Sequence, residues 1–387
     1  MTAIIAADLG GAEWAGLPVL FLFAGRSMTA FVIGSAMDRF GRRSTLTFSY
    51  LCGALGGVLA TTSIIYGSYI GFIVSSFLFG GTRAGIELQR FVAAEVHNPG
   101  NRARIIGLVV SAGTIGSIFG PWMFQLTSDM AKNSGYIGYA GPWLASVPMS
   151  VVAALVVFIF LRPEPKIIAQ RIDEICSAAT VIPEKIMRTR REIMSIPDVR
   201  LAVAAIVLGQ GVMTMIMTIT PLHMTNHAHG TADISLAMMA HTMGMFGLSW
   251  LVGRMTDSWG AYVSVVAGAF LLIFAGSFAI NATVLPIIIV VMFSLGLGWN
   301  FCFVAGSALL TDMLNQDERA RFQGFTESIN AGVGGATALL GGQVFGAGGY
   351  GLVGVAGLVL TSGLIGVGAL TMMKKRESCR SEELVDG

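Results

Sequence analysis

Charged residues are scarce in this chain of 387 residues. They make up 12% of the sequence, about half of the roughly 25% that is typical of soluble proteins. Hydrophobic residues make up 54%, and the mean hydropathy is +0.73. Long apolar segments with short polar interruptions predict a chain that crosses a membrane many times, surrounded by lipid, rather than a soluble domain.

Other absences exclude several classes of protein. The four cysteines (Cys52, Cys176, Cys302 and Cys379) lie far apart and form no CxxC pair, which argues against a zinc site and a disulfide framework. The net charge of +2 gives no basis for nucleic-acid binding. The sequence contains no phosphate-binding glycine loop and no nucleophile–base arrangement. We therefore predict neither an enzyme nor an ATP-driven pump, and no cofactor.

Eleven apolar segments are long enough to cross the hydrocarbon core as helices. They lie at about 14–37, 44–65, 69–92, 104–125, 142–161, 199–222, 232–253, 261–281, 284–309, 322–345 and 350–372. The preceding MTAIIAADLGG resembles the end of another helix, so we expect a first helix that is mostly missing from this sequence, or a misassigned start. The predicted fold class is an all-α polytopic membrane protein.

Lysine and arginine concentrate in alternate connections, in the long linker and in the tail. The basic residues of these segments include Arg39, Arg42, Arg43, Arg102, Arg104, Arg162, Lys166, Arg171, Lys185, Arg188, Arg190, Arg191, Arg254, Arg319, Arg321, Lys374, Lys375 and Arg376. The opposite connections hold Lys132 alone. The positive-inside rule therefore predicts a cytoplasmic linker and a cytoplasmic C terminus.

Two of the basic connections repeat the pattern G-x-x-x-D-x-x-G. The first copy, GSAMDRFGRR, contains Asp38, and the second, GRMTDSWG, contains Asp257, 219 residues later. The segments RFVAAEVHNPGNRARIIG and LLTDMLNQDERARFQG form a second similar pair. Such parallel repeats predict two related transmembrane halves. The predicted boundaries are 1–161 for the N-terminal half, 162–198 for the linker, 199–372 for the C-terminal half and 373–387 for the tail.

The segment GSAMDRFGRR resembles the loop motif of the major facilitator superfamily, whose fold has two six-helix halves. This resemblance implies a secondary transporter that works by alternating access. Within the motif, Asp38 and Arg42 can join the halves through charge and a helix terminus. We predict that Asp38, Arg42 and Asp257 are gating residues; alternatively, the arginines only set the topology.

A glycine-rich stretch, GTIGSIFGP at 113–121, resembles a motif of antiporters in the same superfamily. Read as a functional motif, it would indicate a proton-coupled drug exporter. Its small residues are also typical of closely packed membrane helices, and we favour that interpretation.

Four ionisable residues, Arg26, Arg83, Glu87 and His241, fall at membrane depth, where burying a charge is costly. Arg83 and Glu87 are spaced i, i+4 and can pair on one helix face. They are candidates for proton coupling, although such a pair can equally well serve only to neutralise itself.

Methionine and histidine form a further pattern in the C-terminal half. Met213 and Met217 share one helix face, as do His241 and Met245 on the next span. Counted from the outer ends, Met213 and His241 both lie about 14 Å deep at 1.5 Å per residue. Three thioethers and an imidazole suit Cu(I). Methionine is also common filler, and the chain has 21 of them, so the residues alone favour neither interpretation.

The spacing of these two motifs resembles the signature of the CcoA-type copper importers. MxxxM at Met213 and Met217 is followed 24 residues later by HxxxM at His241 and Met245. The resemblance implies a bacterial inner-membrane importer that supplies copper for haem–copper oxidase assembly. These four residues would then be its ligands, copper its substrate, and a cytoplasmic copper chaperone a candidate partner. The same branch contains riboflavin transporters, so an organic cargo remains an alternative, as does a non-transporting assembly factor or sensor.

The outer loop PLHMTNHAHG adds further soft side chains beside the expected cavity mouth. They are His223, Met224, His227 and His229. We expect either that they capture copper or that they form an ordinary solvated loop.

Overall fold

The computed structural model describes residues 2–11, 14, 16–177 and 188–383, and within these ranges the regular structure is helical. The helices are α1 Thr2–Gly10, α2 Leu17–Phe40, α3 Arg42–Ile65, α4 Tyr69–Glu95, α5 Arg102–Asn133, α6 Ala140–Phe160, α7 Pro165–Ser177, α8 Arg190–Ser195, α9 Pro197–Asn226, α10 Thr231–Thr242, α11 Ser249–Trp259, α12 Ala261–Ala279, α13 Leu285–Met313 and α14 Gln316–Glu383. A 3₁₀ turn at Pro99–Asn101 precedes α5, and a π-helical turn at Met243–Gly247 joins α10 to α11.

The membrane-spanning helices confirm the predicted all-α polytopic fold but not the count of eleven separate spans. Among the described residues, nine helices are long and apolar enough to cross a membrane, or ten when the bent pair Ala232–Gly247 and Ser249–Trp259 is counted as one span. The difference arises in α14, which runs through both of the last two predicted segments. Its backbone is non-helical at Gly348 and Gly349, so the predicted spans 322–345 and 350–372 lie on either side of a break.

The two copies of the repeated loop motif have the same local conformation. Gly41 between α2 and α3 has φ 87° and ψ 162°, and Gly260 between α11 and α12 has φ 89° and ψ 152°. A positive φ is readily adopted only by glycine. The last glycine of G-x-x-x-D-x-x-G therefore ends one helix and allows the next to begin at once.

Close contacts divide the chain into two compact units. Unit 1 comprises Met1–Val96, Ile115–Glu184 and Gln316–Gly335, and unit 2 comprises His97–Thr114, Lys185–Asn315 and Ala336–Gly387. Each unit thus includes one segment that belongs to the other predicted half. The predicted domain boundaries divide the chain by sequence position, whereas the two units are defined by contacts in space. These boundaries therefore remain a prediction.

In unit 2, α9 and α13 are the most deeply buried of the candidate spans. They run in opposite directions, because Gly209 lies close to Cys302 whereas Gly306 lies close to Ala202. Apolar side chains cover nearly the whole surface of both helices, as expected for helices buried on all sides. Helix α9 of this pair carries Met213 and Met217, and α13 packs against the segment that carries His241 and Met245.

Candidate functional site

Helix α13 packs against both elements that carry the predicted copper ligands. Trp299 of α13 donates a hydrogen bond from Nε1 to Gln210 Oε1 of α9 at 3.0 Å. The Trp299 ring also meets the Phe246 ring of the π-helical turn, with centroids 6.1 Å apart. Trp299 therefore links the two segments, and it also stacks on Phe303 at 4.4 Å. Both ligand-bearing segments therefore pack against α13.

Trp299 also provides a reference for depth in the membrane. On α9, Met213 and Met217 lie three and seven residues beyond Gln210, or about 4.5 and 10.5 Å farther out. On the antiparallel α13, the same steps outward from Trp299 reach Gly296 and Met292.

The second motif lies at these two levels of α13. A Cβ atom placed on Gly296 would be 2.3 Å from the carbonyl oxygen of His241 and 3.0 Å from the amide nitrogen of Met245. The carbonyl of Met292 lies 3.0 Å from His241 Nδ1. Met213 is therefore level with Met245, and Met217 is level with His241.

His241 is almost completely buried, with 1% of its surface exposed. Its Nδ1 must donate to the Met292 carbonyl, because a carbonyl oxygen can only accept. In the neutral ring the hydrogen is thus on Nδ1 and the lone pair on Nε2. Nε2 is buried and has no hydrogen-bond partner among the residues that the structure describes.

Met245 lies in the π-helical turn rather than in a regular α-helix. Such turns widen a helix by one residue and are frequent at functional sites. Asn300 of α13 donates from Nδ2 to the Gly244 carbonyl in this turn at 3.2 Å. The turn is therefore held from outside its own helix, beside the predicted ligand.

The methionines differ in their accessibility. Met213 is buried, whereas Met217 and Met245 are half-buried. Pro221 lies one turn after Met217 and has no N–H, so the Met217 carbonyl lacks the hydrogen bond that residue 221 would normally donate. Within the described residues no group of three or more His, Cys, Asp or Glu is placed to hold a metal ion. The predicted copper-binding set is of a different kind, because it has one histidine and three methionine thioethers.

The repeated aspartates make equivalent contacts in the two units. Asp38 Oδ2 accepts a hydrogen bond from the backbone N–H of Arg321 in α14 at 3.1 Å. Asp257 accepts from the backbone N–H groups of Ala103 and Arg104, in the first turn of α5, at 3.1 and 2.9 Å. Arg321 and Arg104 occupy matching positions in the second pair of similar segments. In both units, the G-x-x-x-D-x-x-G motif from one predicted half thus contacts the segment of the second similar pair that comes from the other half.

Paired glycines allow this approach. In unit 1 a Cβ on Gly34 would lie 2.4 Å from the Ala320 carbonyl oxygen and 2.9 Å from Gly324 Cα. In unit 2 a Cβ on Gly253 would lie 2.4 Å from the Ala103 carbonyl oxygen. The first glycine of each motif copy is therefore required for helix crossing, because no side chain fits there.

Arg42 contacts more than Asp38. It binds both carboxylate oxygens of Glu95, at 2.8 and 3.2 Å, and pairs with Asp38 at 3.4 Å. Glu164 in turn accepts from the backbone N–H of Arg42, and Lys166 Nζ donates to the Asp38 carbonyl at 3.0 Å. The first copy of the motif is thus fixed to the start of the linker, through residues that the second copy does not have.

A buried charge cluster surrounds the predicted proton-coupling residues. Arg83 and Glu87 do pair, at 3.6 Å, but Arg83 is largely exposed. Glu87 also pairs with Arg26 at 3.7 Å and with Arg90 at 3.5 Å. Glu327 of α14, which is fully buried, pairs with Arg26 at 3.3 Å and with Arg90. Sequence reasoning identified Arg26, Arg83 and Glu87 but missed Arg90 and Glu327.

Comparison with known proteins identifies the family. Residues 1–339 match the profile described as Major Facilitator Superfamily. The chain belongs to this superfamily. It is 29% identical over 371 residues to the uncharacterized MFS-type transporter YddS of Bacillus subtilis, covering 94% of this chain and 84% of that protein. It is 28% identical over 319 residues to the riboflavin transporter RfnT of Brucella anthropi, covering 82% and 76%.

Solved structures of the Major Facilitator Superfamily share the fold. The human organic anion transporter MFSD10 (TETRAN) superposes with a TM-score of 0.72 at 15% identity, covering 94% of this chain and 88% of that one. The proton:xylose symporter XylE superposes with a TM-score of 0.68 at 14% identity, covering 90% and 84%. The chain is therefore a multi-pass membrane transporter of the Major Facilitator Superfamily, which is consistent with the expectation that it is not an enzyme.

The glycine–proline stretch does not show the close packing that we favoured throughout its length. A Cβ on Gly113 would lie 3.0 Å from the Phe246 ring, but no neighbour among the described residues lies within 4 Å of such an atom on Gly116 or Gly120. These two glycines instead line a shallow apolar groove with Phe119, Met123 and Met149. Small residues alone did not predict which faces of α5 are covered.

Proposed function

We propose that this transporter imports copper across the bacterial inner membrane by alternating access and supplies it for haem–copper oxidase assembly. In this proposal Met213, Met217, His241 and Met245 bind copper as the cargo. The linker and C terminus lie in the cytoplasm, where a copper chaperone would receive the ion.

The observation that carries this proposal is the state of the His241 ring. A buried acceptor left without a partner costs about 1–3 kcal/mol, so a lone pair enclosed at Nε2 calls for a ligand. Metal-binding histidines usually donate their other ring N–H to a carbonyl or carboxylate, which fixes the tautomer and the orientation of the ring. His241 is held in this way by the Met292 carbonyl.

The residues at the same depth support copper rather than a harder metal. Met217 is level with His241, and Met213 with Met245, so the thioethers lie at the depth of His241 and one helical turn below it. Thioether and imidazole ligands select Cu(I) and bind Mg²⁺, Ca²⁺ or Mn²⁺ poorly. The half-exposed Met217 and Met245 would allow the ion to exchange.

The contacts of Asp38, Arg42 and Asp257 support a gating role in this proposal. Each aspartate holds a helix of one predicted half to a backbone segment of the other, and alternating access requires such contacts to open and close. Glu87 with Arg83 keeps its proposed role in proton coupling, since Glu87 is the partly exposed acid of the buried charge cluster, with 19% of its side chain accessible.

We expect Asp38→Asn and Asp257→Asn each to slow copper uptake several-fold without changing the choice of cargo. An amide has one acceptor oxygen, so Asn at 257 loses one of two backbone hydrogen bonds, and Asn at 38 loses the charge that pairs with Arg42. Initial uptake rates over a range of copper concentrations measure the effect. Asp129→Asn, which removes an exposed carboxylate from the far end of α5, is the matched control. A changed cargo preference at an unchanged maximal rate would contradict gating.

A second candidate cargo is riboflavin or a similar planar heterocycle. Two observations favour it: the similarity to the riboflavin transporter RfnT, and the Trp299–Phe303 stack beside the polar Gln210. Planar rings commonly bind to aromatic faces with a few polar contacts that fix their orientation.

Uptake by intact cells separates the two cargoes. We expect cells that express the protein to accumulate radioactive copper faster than cells that lack it, while radiolabelled riboflavin uptake stays the same. The reverse result would replace copper by the heterocycle. Reconstituted vesicles that transport neither would favour an assembly factor or sensor.

A further inference from the structure

Three histidines cluster at the end of α9 that is distant from the basic linker. Each has one ring nitrogen on a backbone carbonyl. The pairs are His223 Nε2 with Ala282 O at 2.7 Å, His227 Nδ1 with His223 O at 2.9 Å, and His229 Nε2 with Thr283 O at 2.9 Å. Since a carbonyl can only accept, each of these nitrogens carries the hydrogen. In the neutral rings the lone pairs are therefore on His223 Nδ1, His227 Nε2 and His229 Nδ1.

The structure distinguishes among the four soft side chains of this loop. Met224 is fully buried, so it cannot meet an ion arriving from outside. His229 Nδ1 lies 3.6 Å from the Asp233 carboxylate, so its neighbour is a carboxylate and not a second imidazole. His223, in the last turn of α9, and His227, which directly follows the helix end at Asn226, remain, with ring centroids 4.3 Å apart. The His223 ring is fixed by stacking on Tyr350 at 4.2 Å.

We propose that His223 and His227 form a copper-entry site, separate from the buried ligands, that captures the ion at the mouth of the transporter. This inference rests on the proposed function for the identity of the metal. With metal–imidazole bonds of about 2.0 Å, two imidazoles on one ion keep their ring centroids within about 6 Å of each other, and the centroids of these two rings are 4.3 Å apart. Imidazole binds copper readily, and water completes the coordination at an exposed position.

The helix also connects this site to the buried one. At about 100° per residue, His227, Met224, Met217 and Met213 fall within an arc of about 80° on α9. They extend inward over 14 residues, or about 21 Å. The thioethers of Met224, Met217 and Met213 thus lie on one side of α9, between the proposed entry site and the buried ligands.

The test uses the purified full-length protein in detergent without a histidine tag, with Cu(II) sulfate as a paramagnetic probe. We expect one Cu(II) per chain with nitrogen hyperfine structure in its electron paramagnetic resonance spectrum. His227→Ala should weaken this binding at least about tenfold, since it removes one of two nitrogen ligands. His227 is exposed, so the fold should not suffer. His229→Ala is the control and should keep the spectrum. Unchanged binding in His227→Ala, or equal loss in both variants, would overturn the proposal.

Uptake separates a failure of this inference from a failure of the proposed function. His227→Ala should lower the rate several-fold at limiting copper and leave it near the parental value at saturating copper, because capture and not translocation is impaired. Met217→Leu should keep the Cu(II) spectrum and lose uptake at every concentration. If Met217→Leu transports normally, the proposed function fails while the entry site stands. If Met217→Leu loses uptake but His227→Ala binds Cu(II) as the parental protein does, only the entry site fails.

Discussion

Met217→Leu and Met245→Leu are each expected to reduce copper accumulation to the level of cells that lack the protein. Leucine keeps the volume and the apolar character of the side chain and removes only the sulfur, so packing should change by less than about 1.5 kcal/mol. The two residues are half-buried and lie at the two depths that α13 defines. Removing either leaves a ligand set that no longer encloses the ion.

The chain offers two closely matched controls. Met215 is buried two residues from Met217 and packs beside Gly341 of α14. Met243 is an exposed residue of the same π-helical turn as Met245. Met215→Leu and Met243→Leu should accumulate copper at the parental rate, with all four variants at equal amounts in the membrane. If the ligand variants and the controls behave alike, the methionines are filler and copper is not the cargo.

The gating contacts could be located from the sequence because they repeat. Asp38 and Asp257 occupy the same position in two copies of one motif, and the segments that hold Arg321 and Arg104 also form a similar pair. Residues at equivalent positions of a structural repeat have equivalent neighbours, so the two aspartates could be assigned one role although the segments that they contact were not predicted. What the sequence did not reveal is that the aspartates bind backbone N–H groups, which leave no trace in the choice of side chain.

Two members of the buried charge cluster, Arg90 and Glu327, could have been identified from the sequence. Arg90 and Glu327 fall inside the predicted spans 69–92 and 322–345, where any ionisable residue is a functional candidate because its burial is costly. They are separated by 237 residues, so nothing local indicates that they pair. Their partners depend on which helices meet, and periodicity within one helix contains no such information.

The surroundings of the proposed copper ligands were the least predictable part of the site. Depth counted from the outer ends placed Met213 level with His241, whereas the contacts of α13 place Met217 at the level of His241 and Met213 one turn deeper, level with Met245. The π-helical turn was not predicted, because Gly244 and Gly247 also fit an ordinary membrane helix. Trp299 and Asn300 were overlooked since their importance comes from hydrogen bonds to Gln210 and to the Gly244 carbonyl, across helices that are distant in sequence.

The second large effect is expected at His241, where three substitutions separate a metal ligand from a structural histidine. His241→Leu removes both ring nitrogens and should abolish copper uptake. His241→Met replaces the imidazole by another soft neutral ligand, although it loses the hydrogen bond to the Met292 carbonyl. If Nε2 binds copper, part of the uptake should survive in this variant.

His241→Asn tests the opposite case. Its amide can donate to the Met292 carbonyl as Nδ1 does, but it offers no nitrogen lone pair at the position of Nε2 and only a hard oxygen in its place. If His241 is a ligand, initial copper uptake at equal membrane levels should be highest with His at this position and lower with Met. It should be absent with Asn or Leu. A structural role predicts that Asn retains uptake and Met loses it, because only the hydrogen bond to α13 would matter. His97→Asn, at the opposite side of the membrane from the entry loop, should match the parental protein. Full uptake in all three His241 variants would remove this residue from the site, whereas equal loss in all three would assign it a role, such as proton transfer, that requires the whole imidazole ring.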